Sequence, residues 1–78
     1  MDKLVTVYTK PNCPQCMMTK KVMEQVGVKY ETIDVMADDK AREMLMTLGY
    51  RRLPVVNAGG DNWWMGFQPS KIKALAGK

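Results

Sequence analysis

The segment KPNCPQCMMTK, residues 10–20, contains both cysteines of the chain, with two residues between Cys13 and Cys16. The preceding residues, 3–9, read KLVTVYT and are rich in β-branched and aromatic side chains. Such a run, ended by the Pro-Asn pair that follows it, predicts a short strand. The cysteine pair is therefore expected directly after a strand.

After Cys13 the spacing of apolar residues becomes that of a helix. Met18, Val22 and Val26 recur at steps of four residues, which predicts the buried face of a helix. Gly27 is a typical residue to end it. The sequence therefore predicts a helix that begins at the cysteine pair.

The rest of the chain predicts five further elements from its periodicity and turn residues. In chain order they are a strand over 28–35, a helix over 38–49, strands over 53–58 and 62–66 joined by the turn Gly59-Gly60-Asp61, and a helix over 69–77. The predicted inward faces of the last two helices are Ala41, Met44, Leu45 and Leu48, and then Ile72, Leu75 and Ala76.

The predicted element order is β-α-β-α-β-β-α. Two strands joined by a long helix pair in parallel through a right-handed crossover, whereas a short glycine turn gives an antiparallel hairpin. We therefore expect an α/β fold with a four-stranded mixed sheet flanked by three helices. With C-x-x-C between the first strand and the first helix, this is the arrangement of the thioredoxin fold. A chain of 78 residues is too short for two domains, so residues 1–78 are expected to form one.

The composition limits the classes of partner and compartment. The formal net charge of +4 is spread along the chain without a long basic run, which gives little support to nucleic-acid binding. No apolar segment has the length of a membrane span, and the short apolar run of the first ten residues does not fit a signal peptide. We therefore expect a cytoplasmic protein that binds neither nucleic acid nor membrane.

In a reducing cytosol a lasting structural disulfide is rare, so C-x-x-C is typical of redox catalysis or metal binding. The thiolate is the reactive form of cysteine, and at helix N-termini thiol pKa values fall from about 8.5 to about 3.5–7.5. Lys10 is expected to favour the thiolate of Cys13 further. Cys16 lies one turn on, where it can attack a mixed disulfide formed at Cys13. Cys13 is therefore the predicted nucleophile and Cys16 the resolving cysteine.

Two other interpretations of the cysteine pair remain open. A structural disulfide would close a very short loop, and short loops restrict the unfolded chain least. A zinc or iron-sulfur site needs more ligands than one C-x-x-C supplies, and the chain has no histidine. We therefore expect no metal. The lack of histidine also leaves the proton acceptor for Cys16 open, with solvent and the leaving thiolate as candidates.

Across nearly its whole length the chain resembles the NrdH redoxins, a family with glutaredoxin-like sequences and thioredoxin-like behaviour. The resemblance lies in VTVYTKPNCPQC, LGYRRLPVV and WMGFQPSKIKAL. The C-terminal signature of the family is W-S-G-F-[RQ]-P, in which Met65 here replaces the serine. Its active-site motif is commonly C-V-Q-C, so Gln15 fits, whereas Pro14 is a departure shared with glutaredoxins of the C-P-Y-C kind.

The resemblance implies a thiol-disulfide oxidoreductase that carries electrons without a metal or an organic cofactor. Such proteins take electrons from NADPH through thioredoxin reductase and pass them to the disulfide of class Ib ribonucleotide reductase. The resemblance also implies that Pro54 is a cis-proline and that the Leu53 backbone pairs with an extended stretch of the partner. Lys10, Gly66 and Phe67 are the other residues expected to bind the partner, and a monomer is expected.

A glutathione-dependent glutaredoxin is the alternative function, because it shares the fold, Lys10 and the cysteine pair. Glutaredoxins typically carry T-V-P at the cis-proline and a Gly-Gly pair at the last helix, where this chain has RLP at 52–54 and MGFQP at 65–69. Pro69 also lacks the N–H that could hold a carboxylate. These departures favour the NrdH interpretation. A noncatalytic adaptor, or a carrier of a cluster that bridges two copies, is a third alternative.

The tryptophans and methionines raise two further questions. Trp63 and Trp64 are neighbours on a predicted strand, so they face opposite sides, and the pattern leaves open which is buried. The resemblance favours a structural role for Trp64. The eight methionines are expected to fill the core, with a soft docking surface around the dithiol, at Met17 and Met18, as the alternative.

Overall fold

Four strands and three helices follow one another along residues 5–76, the part of the chain that the computed structural model describes. In chain order they are β1 (Val5–Thr9), α1 (Pro14–Val26), β2 (Tyr30–Asp34), α2 (Asp39–Thr47), β3 (Val55–Asn57), β4 (Trp63–Met65) and α3 (Pro69–Ala76). The predicted element order is confirmed. None of these described helices combines the length and the apolar character that crossing a membrane requires.

The four strands form one sheet in the order β2-β1-β3-β4. β1 runs parallel to β2 and antiparallel to β3, and β3 runs antiparallel to β4. On β1, Val7 lies between Thr32 of β2 and Val56 of β3. The sheet is therefore mixed, as predicted, and the strand that leads into the cysteines is paired along both of its edges.

Each face of the sheet carries an apolar core. The first core joins the sheet to α1 and α3 through Val5, Val7, Met23, Val56, Ala58, Trp64 and Ile72. The second core joins the opposite face to α2 through Tyr8, Val35, Ala41, Leu45 and Val55. Since successive side chains of a strand alternate between faces, β1 contributes Val7 to one core and Tyr8 to the other. Burial of β1 on both faces fixes the position of the turn that follows it.

The strands are shorter than the sequence predicts. β2 begins only at Tyr30, because the Val28 N–H closes the end of α1 by donating to the Met23 carbonyl at 2.8 Å. β3 begins at Val55, since Pro54 has no N–H to donate to a neighbouring strand. The predicted strand and helix positions 3, 4 and 77 lie outside the described residues.

The predicted inward face of α1 is wrong at Met18, which is 50% exposed. The buried side chains of α1 are Cys16, Thr19 and Met23, while the two valines of the prediction are partly buried at the edge of the first core. Thr19 can be buried because its hydroxyl donates to the Gln15 carbonyl at 2.9 Å. Apolar periodicity did not predict the burial of Thr19, because Thr19 is a polar residue whose hydroxyl is hydrogen-bonded within the helix.

The inward faces of α2 and α3 are narrower than predicted. Ala41 and Leu45 are buried in α2, and Ile72 is buried in α3. Both helices are short and each lies on one face of the sheet, so only one stripe of side chains meets the core. The predicted core residues that are exposed instead are Met44, Leu48 and Ala76.

The two tryptophans of β4 lie on opposite faces of the sheet. Trp64 is buried in the first core, and Lys71 Nζ lies 5.9 Å from the centre of its ring. Trp63 is half-buried on the other face, where its ring stacks on those of Tyr8 and Tyr50, both with centroids 6.0 Å away. Trp64 therefore packs in the core, in the structural role that the resemblance implied.

The prediction that the methionines fill the core is wrong for all but one of those described. Met23 is fully buried between α1 and the sheet. The others lie on outward faces of the helices or at the edge strand and loops, where no second layer covers them. These exposed methionines are Met17, Met18, Met36, Met44, Met46 and Met65.

Candidate active site

The two cysteines lie at the N-terminus of α1, directly after β1. Cys13 is the N-cap of α1, with an extended backbone (φ −110°, ψ 102°), and its carbonyl accepts the Met17 N–H at 3.1 Å. Pro14 follows in the first turn, where a helix has no partner for the N–H that proline lacks. Asn12 has a φ of 60°, a left-handed conformation that asparagine adopts more readily than most residues. These three residues turn the chain sharply from strand to helix.

Cys13 and Cys16 are joined by a disulfide, with their Cα atoms 5.2 Å apart. The Cys16 N–H donates to Cys13 Sγ at 3.2 Å, so a backbone donor at the start of the helix points at this sulfur. Both side chains are buried, Cys13 with 5% and Cys16 with 1% of its surface exposed. The structure thus brings the predicted pair together within one helical turn, with Cys13 the more accessible of the two.

A second segment of the site surrounds Pro54. The Leu53-Pro54 peptide bond is cis, as the resemblance implied. The Pro54 carbonyl accepts the Gly66 N–H at 2.7 Å, which ties the cis-proline to the turn after β4. The same turn reaches the cysteine segment, because a Cβ on Gly66 would lie 3.9 Å from Gln15 Oε1. Gly66 is therefore hydrogen-bonded to Pro54, and the side chain of Gln15 in the C-P-Q-C turn lies close by.

The other predicted partner-binding residues occupy different environments. Phe67 is partly buried against the first core, and Leu53 is partly buried against the second. Lys10 is exposed, and within residues 5–76 its ammonium group takes part in no salt bridge. Of the predicted partner-binding residues, Gly66 is therefore hydrogen-bonded to Pro54, whereas the Lys10 ammonium group is exposed to solvent.

The chemistry of the site depends on the two sulfurs and the backbone around them. Across the described part of the chain, no three side chains of the types that ligate metals come together. Burial, reinforced by the charges of Glu31 and Asp38, raises the pKa of Tyr8 above its ordinary value of 10.0.

The outer face of α1 is the surface that the sequence analysis gave as the alternative to core packing for Met17 and Met18. Met17 and Met18, which are 64% and 50% exposed, line a groove on this helix together with Pro14. The spacing in the sequence also indicates that this face points outward. Pro14, Met17 and Lys21 follow one another at steps of three and four residues and lie on a different side of the helix from Cys16. The expectation that these two methionines fill the core is therefore wrong.

The comparison with known proteins identifies the family. The model of the glutaredoxin family, described as Glutaredoxin, matches residues 5–63. A glutaredoxin-like protein NrdH from Salmonella typhimurium is 44% identical over 71 residues, which cover 91% of this chain and 86% of that protein. The chain belongs to the NrdH redoxins, within the glutaredoxin family. It is therefore a thiol-disulfide oxidoreductase with a C-x-x-C pair.

Two further NrdH redoxins extend the likeness. The NrdH protein of Lactococcus lactis subsp. lactis is 34% identical over 73 residues, covering 94% of this chain and 100% of that protein. A solved structure of NrdH-redoxin from Escherichia coli, a glutaredoxin-like protein with a thioredoxin-like activity profile, superimposes with a TM-score of 0.87 at 43% identity. That alignment covers 92% of this chain and 93% of the other. The thioredoxin-like fold predicted from the sequence is confirmed.

Proposed function

We propose that this NrdH redoxin donates electrons to class Ib ribonucleotide reductase and is itself reduced by thioredoxin reductase with NADPH. The observation that carries the proposal is the likeness, along nearly the whole chain, to proteins named NrdH. The thioredoxin-like activity profile ascribed to the Escherichia coli NrdH-redoxin supports thioredoxin reductase as the electron source. We expect the whole chain, residues 1–78, to act as one cytoplasmic domain, since a dithiol is kept reduced in that compartment.

In the proposed reaction, the Cys13 thiolate attacks one sulfur of the partner disulfide and releases the other as a thiolate. Cys16 then attacks Cys13 Sγ, so that the partner leaves as a dithiol and the Cys13-Cys16 disulfide forms. Two electrons pass to the partner, and the proton of Cys16 goes to the leaving thiolate or to solvent. The N-cap position of Cys13 and its greater exposure support its role as the attacking residue.

Backbone groups at the start of α1 favour the charged form of Cys13 in the reduced protein. The Cys16 N–H that donates to Cys13 Sγ would stabilise a thiolate there, as would the positive end of the helix dipole. Lys10, exposed three residues before Cys13, adds a positive charge to the same region. These features support nucleophilic attack without a neighbouring base.

The partner is proposed to bind as an extended segment beside the cis-proline. The Leu53 backbone would pair with this segment, and Pro54, Gly66 and Phe67 would form the surface around it. The hydrogen bond between the Gly66 N–H and the Pro54 carbonyl supports this proposal, because it holds two of the four residues in a fixed relation. Phe67 also packs on the first core, so Phe67→Ala would remove packing as well as a partner contact.

A glutathione-dependent glutaredoxin remains the second candidate, favoured by the match to the glutaredoxin family and by Pro14. One NADPH-consumption assay with two electron sources decides between the candidates. Oxidised class Ib ribonucleotide reductase serves as the acceptor, and reduction comes either from thioredoxin reductase or from glutathione with glutathione reductase. We expect rapid turnover with thioredoxin reductase. Turnover in the glutathione arm alone would overturn the choice.

The roles of the two cysteines are tested with single serine variants. Cys16→Ser should accumulate a covalent complex with the oxidised partner, because the mixed disulfide at Cys13 cannot be resolved. Cys13→Ser should form no such complex and have no turnover. Non-reducing electrophoresis, with a reductant-treated lane as the control, measures the complex. Equal residual turnover in both variants would contradict the assignment.

A further inference from the structure

One outward face of α1 forms a groove that begins beside the dithiol. Its lining residues are Pro14, Met17, Met18, Lys20, Lys21 and Glu24, and its volume is about 510 Å³. Most of these positions are separated by three or four residues, so they share one side of the helix. Pro14, which lies between Cys13 and Cys16 in the sequence, lines the groove, so the α1 groove begins beside the cysteine pair.

The floor of the α1 groove is apolar and exposed. Met17 and Met18 are 64% and 50% exposed, whereas Met23, on the other side of the same helix, is fully buried. Adjacent exposed apolar side chains at a reactive site are typical of a contact surface. Methionine suits such a contact because its unbranched thioether adapts to the shape of a partner.

The charged residues that line the α1 groove form its rim and are Lys20, Lys21 and Glu24, so the rim has a net positive charge. The only salt bridge within residues 5–76 joins Arg42 to Asp39 on α2, so neither Lys20 nor Lys21 has such a partner there. The one acidic residue of the groove, Glu24, accepts a hydrogen bond from the Tyr30 hydroxyl at 2.6 Å. A ligand that complements this rim carries carboxylates.

We propose that the α1 groove binds an acidic segment of the disulfide-bearing protein partner, with one apolar side chain on Met17 and Met18 and carboxylates beside Lys20 and Lys21. The inference rests on the proposed function, since it assumes that the dithiol reduces a protein disulfide. The groove holds the segment while the chemistry occurs at the sulfurs. The partner disulfide is broken by two electrons from the dithiol, two partner thiols form, and the Cys13-Cys16 disulfide closes.

Synthetic peptides with one internal disulfide test the proposal. The first carries a leucine and two glutamates next to its cysteines, the second replaces the glutamates by lysines, and the third replaces the leucine of the first by serine. The fully reduced protein should reduce the first peptide about tenfold faster than the second at low salt. This factor is at the lower end of the rate increases that electrostatic steering produces. The difference should shrink in 1 M NaCl, where the Debye length is about 3 Å.

Variants connect this preference to the groove. Lys20→Glu with Lys21→Glu should invert the preference between the glutamate and lysine peptides. The matched control, Lys29→Glu with Lys40→Glu, changes the net charge equally at exposed lysines outside the groove and should keep the preference of the wild type. Met17→Ser with Met18→Ser should remove the advantage of the leucine peptide over the serine peptide. Circular dichroism checks that each variant is folded.

The outcomes separate the groove from the dithiol chemistry. Equal wild-type rates for the glutamate and lysine peptides, or equal effects of the groove and control lysine pairs, would overturn the groove as the acidic-segment site. If the variant without Met17 and Met18 still reduces the leucine peptide faster than the serine peptide by the wild-type factor, these methionines do not bind the leucine. A neutral small disulfide is reduced in parallel by the wild type, and failure there would overturn the proposed function together with the inference.

Discussion

Gly66 joins the two halves of the candidate active site. Its N–H donates to the Pro54 carbonyl at 2.7 Å, and a Cβ added to it would lie 3.9 Å from Gln15 Oε1 of the C-P-Q-C turn. Its φ of 84° lies in the left-handed region, where a side chain costs about 1–2 kcal/mol. Glycine is therefore required here for its backbone conformation, while the neighbouring space would accept a methyl group.

We expect Gly66→Ala to lower the free energy of unfolding by about 1–2 kcal/mol, because alanine is strained at this φ. It should also reduce turnover with the partner by about tenfold, as relief of the strain moves the turn away from Pro54. Urea denaturation of the oxidised protein and the NADPH assay measure the two effects. Gly27→Ala is the matched control, since its φ is 79° and nothing lies within 4 Å of an added Cβ. The control should lose similar stability and keep its turnover; equal activity losses would refute the role of Gly66.

Met23 and Met18 test which side of α1 faces the core. Met23 has no exposed surface, so Met23→Ala should leave a cavity and lower the free energy of unfolding by about 2–5 kcal/mol. Met18→Ala removes an exposed side chain and should change that free energy by less than about 0.5 kcal/mol. Urea denaturation of both variants gives the comparison. A larger loss for Met18→Ala would mean that the helix is rotated relative to the arrangement described above.

Helix α1 is held at both ends by local hydrogen bonds and near its C-terminus by a contact with the neighbouring strand. Cys13 caps its start, and Gly27, with a left-handed φ, ends it by donating its N–H to the last carbonyls. The Tyr30 hydroxyl of β2 then donates to Glu24 Oε2 at 2.6 Å. This link between α1 and β2 contributes to holding the helix, and thus the cysteines at its other end, in position.

The contact between Tyr30 and Glu24 gives stability a dependence on alkaline pH. Burial, and then the hydrogen bond and charge of Glu24, raise the pKa of Tyr30 from 10.0 to about 12. The folded state therefore favours the neutral hydroxyl. The contribution of this contact to the free energy of unfolding is complete below pH 10 and is lost as the pH rises through about 12. Tyr30→Phe should cost about 0.5 kcal/mol at neutral pH and flatten the decline above pH 10.

Urea denaturation at a series of alkaline pH values measures this decline in the wild type and in Tyr30→Phe. Tyr50→Phe is the control, because Tyr50 stacks on Trp63 and has no hydroxyl hydrogen bond within residues 5–76. It should keep the slope of the wild type. Identical slopes in all three proteins would show that the contact between Tyr30 and Glu24 does not form in solution.

In the molecule as a whole, the central strand β1 connects the two cores to the reactive turn. It is paired along both edges and contributes buried side chains to both faces of the sheet. The cysteines follow it immediately, and the cis-proline precedes β3, its antiparallel neighbour. The site is therefore supported by two buried, paired strands of the sheet, although its residues come from distant parts of the chain.

We expect the protein to be a monomer in solution. Its Cα radius of gyration is 11.8 Å, against about 11.5 Å for an average compact chain of this length. Small-angle scattering of the reduced and the oxidised protein should give radii close to this value at all concentrations. If the radius and the forward scattering rise to the values of a dimer when the protein is concentrated, and fall again on dilution, the expectation is wrong.

The amino-acid sequence determined the order of the elements, the turn that holds Cys13 and Cys16, the helix ends near Asp38 and Gly27, and the likeness to the NrdH redoxins. These features depend on residues that are close in sequence, because a cap, a turn or a C-x-x-C pair forms within a few positions. In the structure Gly27 ends α1 as predicted, and Asp38, the first residue of the predicted helix, caps α2 by accepting the Ala41 N–H at 3.0 Å.

Only the tertiary structure decided which side of α1 is buried, which tryptophan lies in the first core, and how Gly66 meets Pro54 and Gln15. Periodicity shows that a helix has an inward side, but Met18 and Met23 are equally apolar and only the position of the sheet distinguishes them. The Gly66 contacts join residues that lie twelve and about fifty positions away, so they exist only once the chain has folded. The exposed methionine groove follows from the same cause, since a side chain is exposed only where no other element covers it.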